Sequence, residues 1–262
     1  MEVVVTGGCS WSDVNYGDGK IPKDIFSSSW VEQIDFGTDV KFIHVGKSGN
    51  SISRSIDHIK DVLFREKKVD KVVLGLTEWL RFPLAAGCLN ITIAYYVDSM
   101  KKKGKWDEFT HGQKETADKA FAYYNHVESI DKLGVDIFKK IIDTNIRQVL
   151  ALIELCKLRG IKLYIMQVLD AVRPIIGEEY IEQMMDHVID HEQWNMIANS
   201  RKDFTAIGWP FFYPIGGSSA ESLLSKGNIW TRRNRIHRIS HQDSHPNNEG
   251  HKVIAEWFNK HV

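Results

Sequence analysis

Glu2-Val3-Val4-Val5-Thr6-Gly7-Gly8-Cys9-Ser10-Trp11-Ser12 is the stretch on which the fold turns. Its first half is β-branched and apolar at successive positions, so both alternating faces are greasy. That is the composition of a parallel strand buried from both sides. The run ends in Gly7-Gly8, which permits a tight turn from strand into helix. A serine hydroxyl, Ser10, follows at once. In a parallel α/β sheet, ligands bind at the carboxyl ends of the strands, so Ser10 stands where chemistry is expected. The bland reading is that Ser10 or Ser12 caps a helix.

Working outward, strand-like and helix-like runs alternate. A short helical stretch is expected near Phe26–Ile34. Val40–Val45 reads as a second strand, and Ser51–Phe64 as a helix with Ile52, Ile56, Ile59 and Leu63 on one face. Val69–Leu76 is a third buried strand. Ile130–Leu158 is a long amphipathic helix, broken near Gly134. Ile161–Val168 is a fourth strand, and a helical piece covers Glu178–Ile197. Asn248–His261 closes the chain as a helix with Val253, Ile254, Trp257 and Phe258 together. The alternation predicts a three-layer α/β/α sandwich around a parallel sheet of about five strands, in one domain spanning 1–262. Residues 83–130 are too many for one crossover and read as a helical insertion or lid. They contain Lys101-Lys102-Lys103-Gly104-Lys105, a solvated run.

Composition excludes several function classes. Lys+Arg and Asp+Glu both number 34, giving a formal net charge of +0, so no nucleic-acid binder is indicated. The three cysteines, Cys9, Cys88 and Cys156, are widely spaced and form no CxxC, which fits a reducing compartment. No basic leader and no apolar run of membrane-spanning length is visible, so a cytoplasmic protein with no membrane partner is expected. Neither a phosphate-binding GxxxxGK[ST] nor a continued GxGxxG occurs, which disfavours a nucleotide-binding domain.

Two further loops carry candidate chemistry. Gly46-Lys47-Ser48-Gly49-Asn50-Ser51 follows the second strand, where Gly49 can bring its backbone N–H close to a substrate oxygen; an ordinary loop capped by Asn50 or Ser51 is the alternative. Asp243-Ser244-His245-Pro246-Asn247 precedes the last helix. There His245 can serve as base toward Ser10 and Asp243 can orient its ring, the division of labour of a Ser-His-Asp triad. A plain surface loop is the alternative.

With these three loops in hand, the sequence resembles the SGNH (GDSL-type) hydrolases. Gly8-Cys9-Ser10-Trp11-Ser12 matches the first block of that family, with Cys9 in place of the usual Asp. Ser48-Gly49-Asn50-Ser51 is similar to the second block. Asp243-Ser244-His245-Pro246-Asn247, with Gly250-His251, is similar to the fifth. The resemblance implies a flavodoxin-like sheet and a serine esterase with no cofactor and no metal, acting on a small-molecule or glycan ester such as an acetylated carbohydrate. It implies Ser10, His245 and Asp243 as the catalytic set, and Ser10, Gly49 and Thr77 around the oxyanion. Asn50, Glu78 and Arg81 are the expected substrate contacts.

Two positions depart from the family pattern. Gly75-Leu76-Thr77-Glu78-Trp79 places Thr77 where the third block carries an Asn that donates to the oxyanion. Gln242 stands where the family's Asp more often precedes the His, leaving Asp243 as the candidate. Losing one oxyanion donor costs about 10²–10³ in rate. The departures, with the 83–130 insertion, motivate a rival reading: a weak or inactive scaffold that binds a glycan or a partner.

The remaining motifs have ordinary readings. Asp186-His187 and Asp190-His191 set two His at i, i+4, a metal-capable spacing, but no third ligand is predictable and a polar helix face is expected. Arg232-Arg233-Asn234-Arg235, with His237 and Arg238, reads as a solvated charge run that could attract an anionic substrate. Trp209-Pro210-Phe211-Phe212-Tyr213 reads as core or strand rather than pocket lining. His44 reads as a hydrogen-bonded structural residue.

Overall fold

The computed structural model describes residues 1–17, 19–84, 87–90, 101–108, 111, 114–115, 118, 134–171, 178–208, 219–225, 237–239 and 245–262. The strands are β1 (Glu2–Gly7), β2 (Val40–His44), β3 (Lys71–Leu76), β4 (Arg81–Leu84), β5 (Gly87–Asn90), β6 (Lys162–Gln167) and β7 (Thr205–Ile207). The helices are α1 (Ile52–Arg65), α2 (Gly134–Leu158), α3 (Glu178–Asp190), α4 (Glu192–Asn199), α5 (Ala220–Ser225) and α6 (Asn248–Asn259).

Five strands form one sheet in the order β2-β1-β3-β6-β7, and every pairing in it is parallel. This is the flavodoxin-like doubly wound order, whose switch point lies between β1 and β3. The alternation of each strand divides the core in two. Val3 and Val5, with Val72, Leu74, Leu163 and Ile165, join the face covered by α1 and α2. Val4, Val73, Tyr164, Met166 and Ile207 join Trp30, Ile254 and Phe258 on the other. Successive residues of a strand point to opposite faces, and here both faces are covered, hence the unbroken apolar runs.

Local chemistry explains the ends of several elements. Ser51 caps α1 by accepting the Arg54 N–H, and Asn247 caps α6 by accepting the Gly250 N–H. The structure also revises details read from the sequence. The helical stretch at 26–34 contains only a single 3₁₀ turn, Trp30–Glu32, closed by a Ser29/Glu32 capping box. The helical piece at 178–197 is two helices, because His191 takes an extended backbone and caps α4 with its own ring. β7 completes the sheet beside β6 and was not foreseen; three residues are too few for a period-2 signal. β4 and β5 pair as an antiparallel two-stranded sheet at the start of the 83–130 segment. Most of that segment, the stretch 209–217 and most of the 232–238 charge run lie outside the described residues, whereas 101–105 are exposed.

Candidate active site

β1 hands the chain directly to a 3₁₀ turn, Ser10–Ser12, at the switch point of the sheet. Ser12 is the hub of this corner. A Cβ on Gly46 would stand 2.3 Å from the Ser12 carbonyl oxygen, and one on Gly75 would stand 2.8 Å from Ser12 Oγ. Only glycine at both positions lets the ends of β2 and β3 close on the serine turn. The second loop is then fastened to the first. Lys47 N–H and Asn50 Nδ2 both donate to the Gly8 carbonyl at 3.2 Å, and the Ser48 N–H donates to Asp13 Oδ2 at 2.8 Å. Gly49, at the tip of this loop, has φ +78, a conformation that favours glycine.

The C-terminal loop reaches the same corner from the other end of the chain. Ser10 Oγ and His245 Nε2 are 2.7 Å apart, across 235 residues of sequence. The backbone of His245 is held by pairing with 237–239: the Ile239 N–H donates to the His245 carbonyl, and the Asn247 N–H to the His237 carbonyl, each at 2.9 Å. Asn248 fixes the start of α6 against the first loop, accepting the Ser27 N–H at 2.7 Å and donating to the Lys23 and Asp24 carbonyls at 3.1 Å. Asp243 lies outside the described residues.

Tyr16 is a site residue that sequence reasoning missed. Its phenol oxygen is 2.7 Å from His245 Nδ1, and the two rings stack with centroids 4.0 Å apart. Ser10 can only donate its hydroxyl proton to Nε2 when that nitrogen is bare. The neutral imidazole then carries its proton on Nδ1 and donates it to the Tyr16 oxygen. Tyr16 also lines a cleft of about 200 Å³ with Val14, Ile21, Lys23 and Phe26. His251, one helical turn into α6, accepts the Trp30 N–H at Nδ1; burial, then the nearby His245, pushes its pKa down to about 3. It is therefore a neutral structural residue. His44 likewise bonds Thr6 Oγ1 at 2.7 Å and is lowered by burial.

The third loop enters from β3. Thr77 is 1% exposed, and its hydroxyl has no hydrogen-bond partner among the described residues. A buried hydroxyl left unpaired is costly, so its presence at the carboxyl end of β3 requires a reason. Around it the loop is rigid. The Thr77 carbonyl accepts from Gln167 Nε2 at 3.2 Å, Trp79 Nε1 donates to Gln167 Oε1 at 3.2 Å, and Asn145 of α2 donates to the Trp79 carbonyl at 2.7 Å. Asn50, Glu78 and Arg81 are brought together as a bridge between the second and third loops. Arg81 Nε lies 3.3 Å from the buried Glu78 carboxylate, and its Nη1 donates to the Asn50 carbonyl at 3.4 Å.

No protein-family model matches the chain, and no curated relative matches it. Solved structures with similar coordinates include the psychrotrophic esterase EstA from a Pseudoalteromonas species (10% identity, 100% of this chain and 96% of that one, TM-score 0.46). They also include a putative acylhydrolase from Bacteroides fragilis (12%, 99% and 85%, 0.43) and a catalytic mutant of an acetylxylan esterase from Geobacillus stearothermophilus (11%, 99% and 93%, 0.43). Likeness at this level lends no activity to the chain. No helix among the described residues is long and apolar enough to cross a membrane.

Proposed function

We propose that this chain is a serine ester hydrolase of the SGNH type, acting on a small acyl ester such as an acetylated carbohydrate. The observation that carries the reading is the 2.7 Å contact between Ser10 Oγ and His245 Nε2 at the carboxyl end of β1. It is the hydrogen bond through which an imidazole activates a hydroxyl. Ser10 Oγ attacks the acyl carbon and its proton passes to His245 Nε2. The oxyanion is held by the backbone N–H groups of Ser10 and Gly49, with the Thr77 hydroxyl assigned as a third donor by its place at the end of β3. His245 returns the proton to the departing alcohol, leaving an acyl-serine. Water then attacks, again through His245, and releases the acid. Tyr16 holds the imidazole from its Nδ1 side, and the orienting carboxylate is assigned to Asp243 by the family resemblance alone. Asn50, Glu78 and Arg81 hold the second and third loops in register with Ser10. The acyl preference rests on the family resemblance alone.

The test is covalent. The wild-type protein is expected to take up a fluorophosphonate probe at Ser10 and to hydrolyse p-nitrophenyl acetate, with both lost in Ser10→Ala and His245→Ala. Wild-type protein that neither labels nor turns over ester above Ser10→Ala would establish a binding scaffold instead.

A further inference from the structure

On α2, remote in sequence from the serine, Asp143 points at two imidazoles. His187 Nε2 lies 2.5 Å from Asp143 Oδ1, and His191 Nε2 lies 3.3 Å from the same oxygen. The three candidate ligand atoms all lie within 4.8 Å of one another, and each residue is partly open to solvent. The sequence offered only the His pair at i, i+4; the tertiary structure supplies the third group. We propose that Asp143, His187 and His191 form a site for a zinc-class divalent cation that clasps α3 and α4 to α2.

The ligand chemistry fits. Two imidazoles and one carboxylate are a borderline-soft set suited to Zn²⁺, with bonds of about 2.0–2.2 Å, and three protein groups leave a fourth position for water. Tetrahedral bonds of that length separate neighbouring ligand atoms by about 3.3 Å, the present spacing of Asp143 and His191. The Asp143–His187 pair must open, and the two imidazole nitrogens, within 4.8 Å of each other, need at most a small adjustment. The second carboxylate oxygen is steadied by Arg147, whose Nη2 is 3.9 Å from Asp143 Oδ2, which favours monodentate binding through Oδ1. Both rings must present a bare Nε2. At His191 the Gln193 N–H donates to Nδ1, so the ring's proton sits on Nε2 and faces Asp143. Loading a cation moves that proton to Nδ1 and gives up this one capping bond. No proton need leave a neutral ring, because the tautomer changes and the charge does not.

The site has a mechanical consequence. α4 carries Trp194, whose ring meets Trp79 edge-on at 5.9 Å, and Trp79 follows Thr77 and Glu78 in the third loop. A cation fastening α3 and α4 to α2 would steady that loop from behind.

The experiment uses full-length protein stripped with EDTA and titrated with ZnCl₂ by calorimetry, and with CoCl₂ by visible absorption. One Zn²⁺ per chain is expected, with the intense visible bands of four-coordinate Co²⁺. Because outer-shell partners of a metal already carry 10–100-fold in affinity, losing a ligand in Asp143→Asn or His191→Gln is expected to weaken Zn²⁺ by at least about 100-fold. His58→Gln is the control for adventitious histidine binding and is expected to leave it unchanged. Circular dichroism identifies any variant that fails to fold, and the two ligand variants serve as alternates. Absence of micromolar Zn²⁺ binding, or equal binding in folded Asp143→Asn and His191→Gln, would overturn the proposal. Neither readout depends on esterase activity.

Discussion

The phenol oxygen of Tyr16 sits 2.7 Å from His245 Nδ1, on the side of the ring opposite Ser10. In the proposed mechanism, a hydrogen bond there stabilises the imidazolium formed when His245 takes the serine proton. Tyr16→Phe keeps the stacked ring and removes the oxygen. Hydrogen bonds to charged groups contribute about 1.5–3 kcal/mol, so kcat should fall about 10- to 100-fold with KM little changed. Steady-state kinetics with p-nitrophenyl acetate across pH 5–9 measures it. An unchanged kcat and pH profile would remove Tyr16 from the site.

Thr77 separates activity from stability. Thr77→Val swaps an unpartnered buried hydroxyl for a methyl group of the same shape, so stability should hold or rise by up to about 1 kcal/mol. In the proposed mechanism the oxyanion loses a donor, so kcat should drop by about 10²-fold or more. Urea unfolding and initial rates on the same preparation test both halves. Full activity in a folded Thr77→Val protein would assign the hydroxyl no part in catalysis.

The packing around Ser12 predicts an outcome for Gly46→Ala. The added methyl would stand 2.3 Å from the Ser12 carbonyl oxygen, which is backbone and cannot step aside. Overpacking of this kind costs about 1–3 kcal/mol. Because the displaced turn carries Ser10, the rate of fluorophosphonate labelling should fall by more than about tenfold, an amount of geometric misplacement that active sites commonly register. Gly104→Ala, whose φ of +71 strains any side chain but whose Cβ meets nothing within 4 Å, is the control that separates backbone strain from a clash at the serine turn.

His251 makes stability depend on pH in the acid range. Burial lowers its folded pKa to about 3, from an ordinary value of 6.5. The folded state therefore binds fewer protons than the unfolded one between these values. The stability this neutral ring contributes is complete above pH 6.5 and is lost progressively as pH falls toward 3, by up to about 1.4 kcal/mol per pH unit. His251→Gln should be less stable at pH 7, where it loses the ring's packing against Phe26 and its bond from Trp30. It should also show a flatter decline in stability from pH 6 to pH 4. Denaturant unfolding at four pH values in that range compares the slopes; equal slopes would show that other groups govern the acid limb.

Much of the scaffold was legible before any coordinates. The strands at Glu2–Gly7, Lys71–Leu76 and Lys162–Gln167 announce themselves because burial on both faces demands apolar residues along nearly their whole length, whereas Val40–His44, at the sheet edge and only partly buried, shows through its β-branched and aromatic residues alone. The caps Ser51 and Asn247 mark the starts of α1 and α6 by local hydrogen bonding. Ser10, Gly49 and His245 were legible as residue types at strand ends and helix starts. β7 was not, being three residues long, nor was the break at His191, where a side chain rather than a glycine or proline ends the helical run.

Periodicity and capping act over a few residues, so the chain's own pattern carries most of the strands and helices and the residue types at their ends. Which of those groups meet is set by the packing of the whole fold. Ser10 finds His245 across 235 positions, Tyr16 finds the same ring across 229, and Asp143 finds His187 across 44. Such contacts depend on strand order and on close approaches such as Gly46 over Ser12. No local pattern encodes them, since their free energy comes from burying the whole sheet between its two layers of helices.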